Sequence, residues 1–147
     1  AIEGEMAFKI NNDCHLETIF PVIELHNFLF RGRKKTLPEL ISNNGINSGI
    51  VLPNFNHKSS DRIVFHESTL SLVINNQTMG TSKLWPNKGD PKTTLDWIKG
   101  NLAEYGLSLK PGQIILAGTT LGLYPVRVGD TVEVLVGDQI KVKCSIN

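Results

Sequence analysis

Apolar and polar residues alternate at both ends of the chain. In the first segment Met6, Phe8 and Ile10 fall on one side of a period-two pattern, and Glu3, Glu5, Ala7 and Lys9 fall on the other. That alternation predicts a half-buried β-strand over 2–10. A more apolar strand is predicted over 20–25, opened by Pro21 and carrying Glu24. Further strands are predicted over 48–52, 62–66 and 70–74. Asn75-Asn76-Gln77 then turns the chain into 78–83 as a hairpin. After the turn Lys110-Pro111-Gly112-Gln113 comes an apolar strand over 114–117. Segments 131–136 and 140–146, joined by Gly137-Asp138-Gln139, form a closing hairpin.

Two segments break this pattern. Thr36-Leu37-Pro38-Glu39 has a Thr cap, Pro in the first turn and Glu at the third position, which predicts a short helix ending near Asn43-Asn44-Gly45. Asp90-Pro91 opens a longer helix, expected over 91–105. Leu95, Ile98, Leu102 and Tyr105 share one of its faces, and Gly106 stops it. Strands therefore outnumber helices and do not alternate with them, so the fold class is β-rich α+β and not a doubly wound sheet. Met6, Phe8, Phe20, Trp97 and Tyr105 are expected in the core, as is Cys144, which alternates with Val142 and Ile146.

Composition narrows the class. With 147 residues, 40% of them hydrophobic, the chain is a single domain, 1–147, large enough to bury a core without staples. A net charge of +1, spread along the chain, gives no reason to invoke nucleic acid or an anionic membrane. No apolar run approaches the roughly 18 residues that span a bilayer. The basic run Arg31-Gly32-Arg33-Lys34-Lys35 reads as a solvated loop before it reads as an anion site. Two distant cysteines, Cys14 and Cys144, make no disulfide scaffold. The first residues carry no signal segment, so the default compartment is cytoplasmic. They also begin in mid-strand. The chain is therefore expected to be a fragment, and 2–10 a terminal strand whose open edge invites pairing into a homo-oligomer.

Candidate chemistry centres on carboxylates. Glu3 and Glu5 stand two apart on one strand face, with backbones roughly 6.6 Å apart. Alone, the pair fits a solvated strand better than a cation site. Glu24 shifts the balance, because a carboxylate in so apolar a strand needs a cation, a donor or a metal. Three carboxylates together would suit a hard divalent ion, with positions left for water and substrate. His15, His26, His57 and His66 show no zinc-like spacing, and a lone His such as His26 reads as structural. No nucleophile elbow, P-loop or dinucleotide fingerprint occurs.

Four segments in order carry a family resemblance. Ile2-Glu3-Gly4-Glu5-Met6-Ala7-Phe8 resembles V-E-x-E-I-A-F, and Pro21-Val22-Ile23-Glu24-Leu25 resembles P-A-I-E-I. Leu37-Pro38-Glu39 with the stretch from Asn43 to Leu52 resembles L-P-D followed by D-N-A-S-S-A-G-F-V-L. The fourth runs from Leu95-Asp96-Trp97-Ile98 through Lys110-Pro111-Gly112 to Tyr124-Pro125-Val126-Arg127-Val128-Gly129-Asp130. Together they are similar to the fumarylacetoacetate hydrolase superfamily, in its 2-oxo-4-pentenoate hydratase and oxalocrotonate decarboxylase branch, over most of the chain outside 54–90. Members are longer, with an N-terminal portion that supplies further active-site residues.

The resemblance implies a mixed β-roll or sandwich, and Mg²⁺ (or Mn²⁺) held by Glu3, Glu5 and Glu24. It implies hydratase action on a short 2-oxo or 2-hydroxy dienoic acid through a metal-stabilised enolate. Decarboxylation and acylpyruvate-type C–C hydrolysis are sister reactions on the same platform. Ser48 and Asn47 are the catalytic candidates for orienting water or substrate. Lys34 matches a family lysine, though a loop lysine in a basic run fits equally. Thr119, in Ala117-Gly118-Thr119-Thr120, is a candidate donor to a substrate carboxylate, and a plain strand-to-turn connection fits as well. The departures are Asn27 and Leu29, where relatives have an acid and an arginine, and Ile46 in place of a small residue. They point to a third reading, a non-catalytic relative that serves as a binding or assembly module.

Overall fold

Two antiparallel sheets enclose one apolar core. The computed structural model describes residues 1–27, 36–54, 68–85 and 90–147. The first sheet holds β1 (Ile2–Ile10), β2 (Leu16–His26), β3 (Asn47–Val51), β6 (Ile114–Leu116) and β7 (Leu123–Tyr124). Its order is β3-β2-β1-β6, with β7 also pairing β1. The second sheet, ordered β5-β4-β8-β9, holds β4 (Thr69–Ile74), β5 (Gln77–Lys83), β8 (Thr131–Val136) and β9 (Gln139–Ser145). Helices α1 (Leu37–Ser42) and α2 (Pro91–Glu104) and a single 3-10 turn (Asn44–Ile46) complete the described elements. The β-rich α+β class is thus as the sequence predicts.

Period-two patterning explains the core. Ile2, Met6, Phe8 and Ile10 point inward from β1 and meet Leu70, Leu72, Val132 and Val134 of the second sheet in one buried cluster. The sheets approach closely at Gly4. A Cβ there would lie 3.1 Å from Val134 Cγ2 and 3.4 Å from Leu72 Cδ1. The glycine between Glu3 and Glu5 is therefore a packing requirement, and it lets the strand carry acids on its other face.

The expectation that β1 is an open-edged terminal strand is wrong. β1 lies in the interior of its sheet, paired along one edge with β2 and along the other with β6 and β7. Sequence order does not reveal pairing order, because β6 and β7 come from more than a hundred residues downstream. Two other expectations fail at α2. Leu95 is buried, but Trp97 is 67% and Tyr105 72% exposed. Tyr105 is the C-cap, already outside the helical backbone. Cys144 is only partly buried.

The caps form as predicted. Thr36 and Glu39 make a reciprocal capping box, and Asp90 Oδ1 accepts from the Thr93 amide at 2.8 Å. Between α1 and β3 the chain takes a tight left-handed turn, with Asn44, Gly45 and Ile46 at φ 50°, 67° and 62°. A β-branched residue there costs roughly 1–2 kcal/mol. Ile46 is buried, and its amide donates to Asn43 O at 2.8 Å, which holds the turn in place. The turn delivers Asn47 beside β2. The strand predicted over 62–66, the basic run with Lys34, Leu29, His57 and His66 lie outside the described residues.

Candidate metal centre

The outer face of the first sheet changes character along its length. At one end Ala7, Phe20 and Val22 form a small buried apolar cluster. At the other the same face carries acids. Glu3 stands directly across from Glu24, and Glu5 across from Val22, so the register places all three carboxylates on one side. His26 follows Glu24 by two residues, and its Nε2 lies 3.4 Å from Glu24 Oε2 and 3.5 Å from Glu3 Oε2. Asn47 Nδ2 donates to Glu24 Oε1 at 2.7 Å.

Burial makes this arrangement costly without a partner. Glu5 is 1% and Glu24 8% exposed. Neither oxygen of Glu5 and neither ring nitrogen of His26 makes a hydrogen bond of good geometry. Burial pushes the Glu5 carboxyl up to about 9. The neighbouring Glu24 adds to that rise, and the Gly118 amide works against it. Glu3 is also raised, first by burial and then by the charge of Glu24, with His26 opposing. Buried acids facing one another, with Glu5 left unpartnered, are the donor set that a divalent cation satisfies, since it neutralises the repulsion and takes up the idle lone pairs. The residues fit such an ion.

The acids open into a cleft of about 750 Å³. Glu5, Glu24, Asn47 and the Gly118 backbone line its polar end, while Ile98, Leu102, Leu109, Ile114 and Leu116 supply an apolar wall. α2 contributes through Ile98 and Leu102, the partly buried part of its predicted stripe.

Of the sequence-predicted site residues, the structure brings together Glu3, Glu5, Glu24 and Asn47. Ser48 points elsewhere: it is exposed, outside the cleft lining, and donates to Leu25 O at 3.0 Å. Alternation along β3 sends it to the opposite side from Asn47. Thr119 Oγ1 donates to Gly4 O at 2.8 Å and accepts the Leu121 and Gly122 amides. Its proton is given to the backbone, so the expected donation to a substrate carboxylate is not open to it here. The hydroxyl instead bridges the interval on β1 between the β6 and β7 pairings. His26, which the sequence reads as structural, also stands at the site. Its ligand atom lies within 4.8 Å of those of Glu3 and Glu24, a trio that does not include Glu5. The signal that could have found it is its i+2 spacing from Glu24 on a strand.

No family model matches the chain. Among curated sequences it is 20% identical over 146 residues to the 2-hydroxyhexa-2,4-dienoate hydratase of Comamonas testosteroni, covering 91% of this chain and 55% of that one. To the 2-oxo-hept-4-ene-1,7-dioate hydratase of Escherichia coli it is 29% identical over 115 residues, covering 76% and 42%. In fold it matches the 4-oxalocrotonate decarboxylase of Pseudomonas putida G7, solved with magnesium and adipate, at a TM-score of 0.76 and 16% identity, over 99% of this chain and 60% of that one. The chain spans about half the length of the curated relatives it matches. These likenesses agree with the resemblance read from the sequence, to the fumarylacetoacetate hydrolase superfamily. The curated relatives are hydratases, and the fold is similar to that of 4-oxalocrotonate decarboxylase. No helix among the described residues is long and apolar enough to cross a membrane.

Proposed function

We propose that this chain is the metal-carrying domain of a hydratase that acts on a short 2-hydroxy- or 2-oxo-dienoic acid. The observation that carries the reading is Glu5, a buried acid with no hydrogen bond of good geometry, beside the buried Glu24 at the polar end of a cleft. Of the curated relatives named above, one is a hydratase of a 2-hydroxydienoate and the other of a 2-oxo-enedioate, and the decarboxylase of similar fold was solved with magnesium. Glu3, Glu5 and Glu24 would hold one Mg²⁺ or Mn²⁺. A bound ion of that kind supplies Lewis-acid stabilisation of the negative charge that develops on a 2-oxo oxygen.

The chain's own residues do the rest. Asn47 fixes Glu24 by donating to Oε1, which leaves Oε2 directed toward Glu3 and His26. The wall of Ile98, Leu102, Leu109, Ile114 and Leu116 receives the carbon chain and excludes water from that side of it. Asn47 also lines the cleft, within the space a substrate would enter, and remains the candidate for orienting water.

Calorimetric titration of Mg²⁺ or Mn²⁺ into the chain tests the reading. Saturable binding is expected, weakened strongly by Glu24→Gln. With a dienoic acid supplied, mass analysis should show a product heavier by one water; loss of CO₂ would assign the decarboxylase reaction instead. Absence of binding at millimolar metal removes the catalytic reading and leaves the non-catalytic relative.

A further inference from the structure

We propose that His26 is a direct ligand of the same metal centre, which makes it a mixed nitrogen and oxygen site suited to later first-row divalent ions such as Co²⁺ or Zn²⁺. The inference rests on the proposed function in one respect only, that a divalent ion occupies the site. The closely spaced ligand atoms belong to Glu3, Glu24 and His26, all within 4.8 Å of one another. Donors bound at right angles to one ion lie about 3 Å apart. The separations of 3.4 and 3.5 Å from His26 Nε2 to the two carboxylates therefore need little adjustment.

The second observation is the state of the ring. The His26 side chain is 7% exposed, and neither nitrogen makes a hydrogen bond of good geometry. A buried imidazole with Nδ1 unpartnered and Nε2 in long contacts only carries a desolvation cost that a bound ion relieves at Nε2. A plain ion pair is the rival account. It predicts a short, linear hydrogen bond from the ring to Glu3 or Glu24, and the Nε2 contacts, at 3.5 and 3.4 Å, are long for one. An imidazole ligand raises affinity for the later first-row ions more than for Mg²⁺, which prefers oxygen and retains its waters.

The test compares Co²⁺ and Mg²⁺ binding to the full chain and to His26→Gln by calorimetry, with circular dichroism to confirm folding. A ligand role predicts that the variant loses roughly tenfold or more in Co²⁺ affinity and much less in Mg²⁺ affinity, so the Co²⁺/Mg²⁺ ratio collapses. If His26 is instead a cationic partner of the acids, removing it strengthens binding of both ions, and the proposal is overturned. An unchanged ratio overturns it as well. Pulsed EPR of the Mn²⁺-loaded wild type gives an answer that does not depend on the variant's folding. Nitrogen coupling from a directly bound imidazole supports the proposal, and a spectrum with oxygen donors alone refutes it. If the wild type binds no metal at all, the proposed function fails first and this inference with it. Binding with no role for His26 overturns the inference alone.

Discussion

The two sheets share one core, yet only the second keeps a simple alternation. Along β4 and β8 buried residues alternate with half-buried or exposed ones, as expected where one face is covered and the other meets solvent. Along β1 only Glu3 and Lys9 are less than fully buried. The first sheet is covered on both faces, by the second sheet inside and by α2 and the 44–47 turn around the cleft outside. The polar groups of the two sheets differ accordingly. On the second sheet Ser71 bonds Thr81, and Lys143 Nζ lies 2.6 Å from Glu133 Oε1. On the first sheet acids face acids and a histidine, and part of their hydrogen-bonding capacity is idle. Polar residues on an open face need only water; on a covered face they indicate a missing partner.

The largest effect expected from any single change lies in the shared core. Leu72→Ala removes a fully buried side chain from β4 and should cost about 2–5 kcal/mol. Urea denaturation measures that loss, and metal affinity of the folded variant should be unchanged. A change in metal affinity would show that the two sheets are not separable in function.

The next effect reverses sign between the sheets. Burial raises the Glu5 carboxyl from an ordinary 4.5 to about 9. Between those values the unfolded chain has lost the proton that the folded chain keeps. The contribution of Glu5 to the stability of the metal-free protein is therefore greatest below about 4.5 and falls as pH rises toward 9. Glu5→Gln should flatten that dependence and, near pH 8, be the more stable protein by roughly a few kcal/mol. Urea midpoints from pH 5 to 8 decide it, and parallel slopes for variant and wild type would contradict a protonated Glu5. At neutral pH, metal binding should release about one proton, visible in calorimetry as a dependence on buffer ionisation enthalpy.

A third effect belongs to the first sheet alone. A divalent ion at a hundredfold excess over its dissociation constant adds about 2.7 kcal/mol to the stability of a folded protein that binds it. The wild type should show a corresponding rise in Tm with Mg²⁺, and Glu24→Gln should not. A metal-dependent rise that survives in the variant would remove Glu24 from the ligand set.

How much of this the sequence carries follows the same division. β1, the β4–β5 and β8–β9 hairpins and both helix starts are legible, because alternation, turn residues and caps are local signals. Glu3, Glu5 and Glu24 are legible because acids in apolar strands are conspicuous. What stays hidden depends on pairing between distant segments. The interior place of β1 is set by β6 and β7, and the hydroxyl of Thr119 is claimed by Gly4 across 115 positions. The i+2 spacing puts His26 on the face of Glu24, but its nearness to Glu3 shows only once the register puts Glu3 opposite Glu24. Trp97 and Tyr105 mislead because α2 lies along a rim and buries fully only Leu95 and Pro91.

The smallest effect sets two polar contacts of similar form against each other. Ser71 Oγ and Thr81 Oγ1 lie 2.8 Å apart on the exposed side of β4 and β5. Asn47 Nδ2 and Glu24 Oε1 lie 2.7 Å apart on the covered side of β3 and β2. In solvent each hydroxyl exchanges a protein partner for water at little cost, so a double-mutant cycle on Ser71→Ala and Thr81→Val should give a coupling of roughly 0.2–1 kcal/mol. Asn47→Ala strands a buried carboxylate oxygen, and hydrogen bonds to charged groups are worth roughly 1.5–3 kcal/mol. A cycle on Asn47→Ala and Glu24→Gln in the metal-free protein should therefore give the larger coupling. Equal couplings would mean that water reaches Glu24 as freely as it reaches Ser71. The contrast between a covered and an open polar face would then be lost.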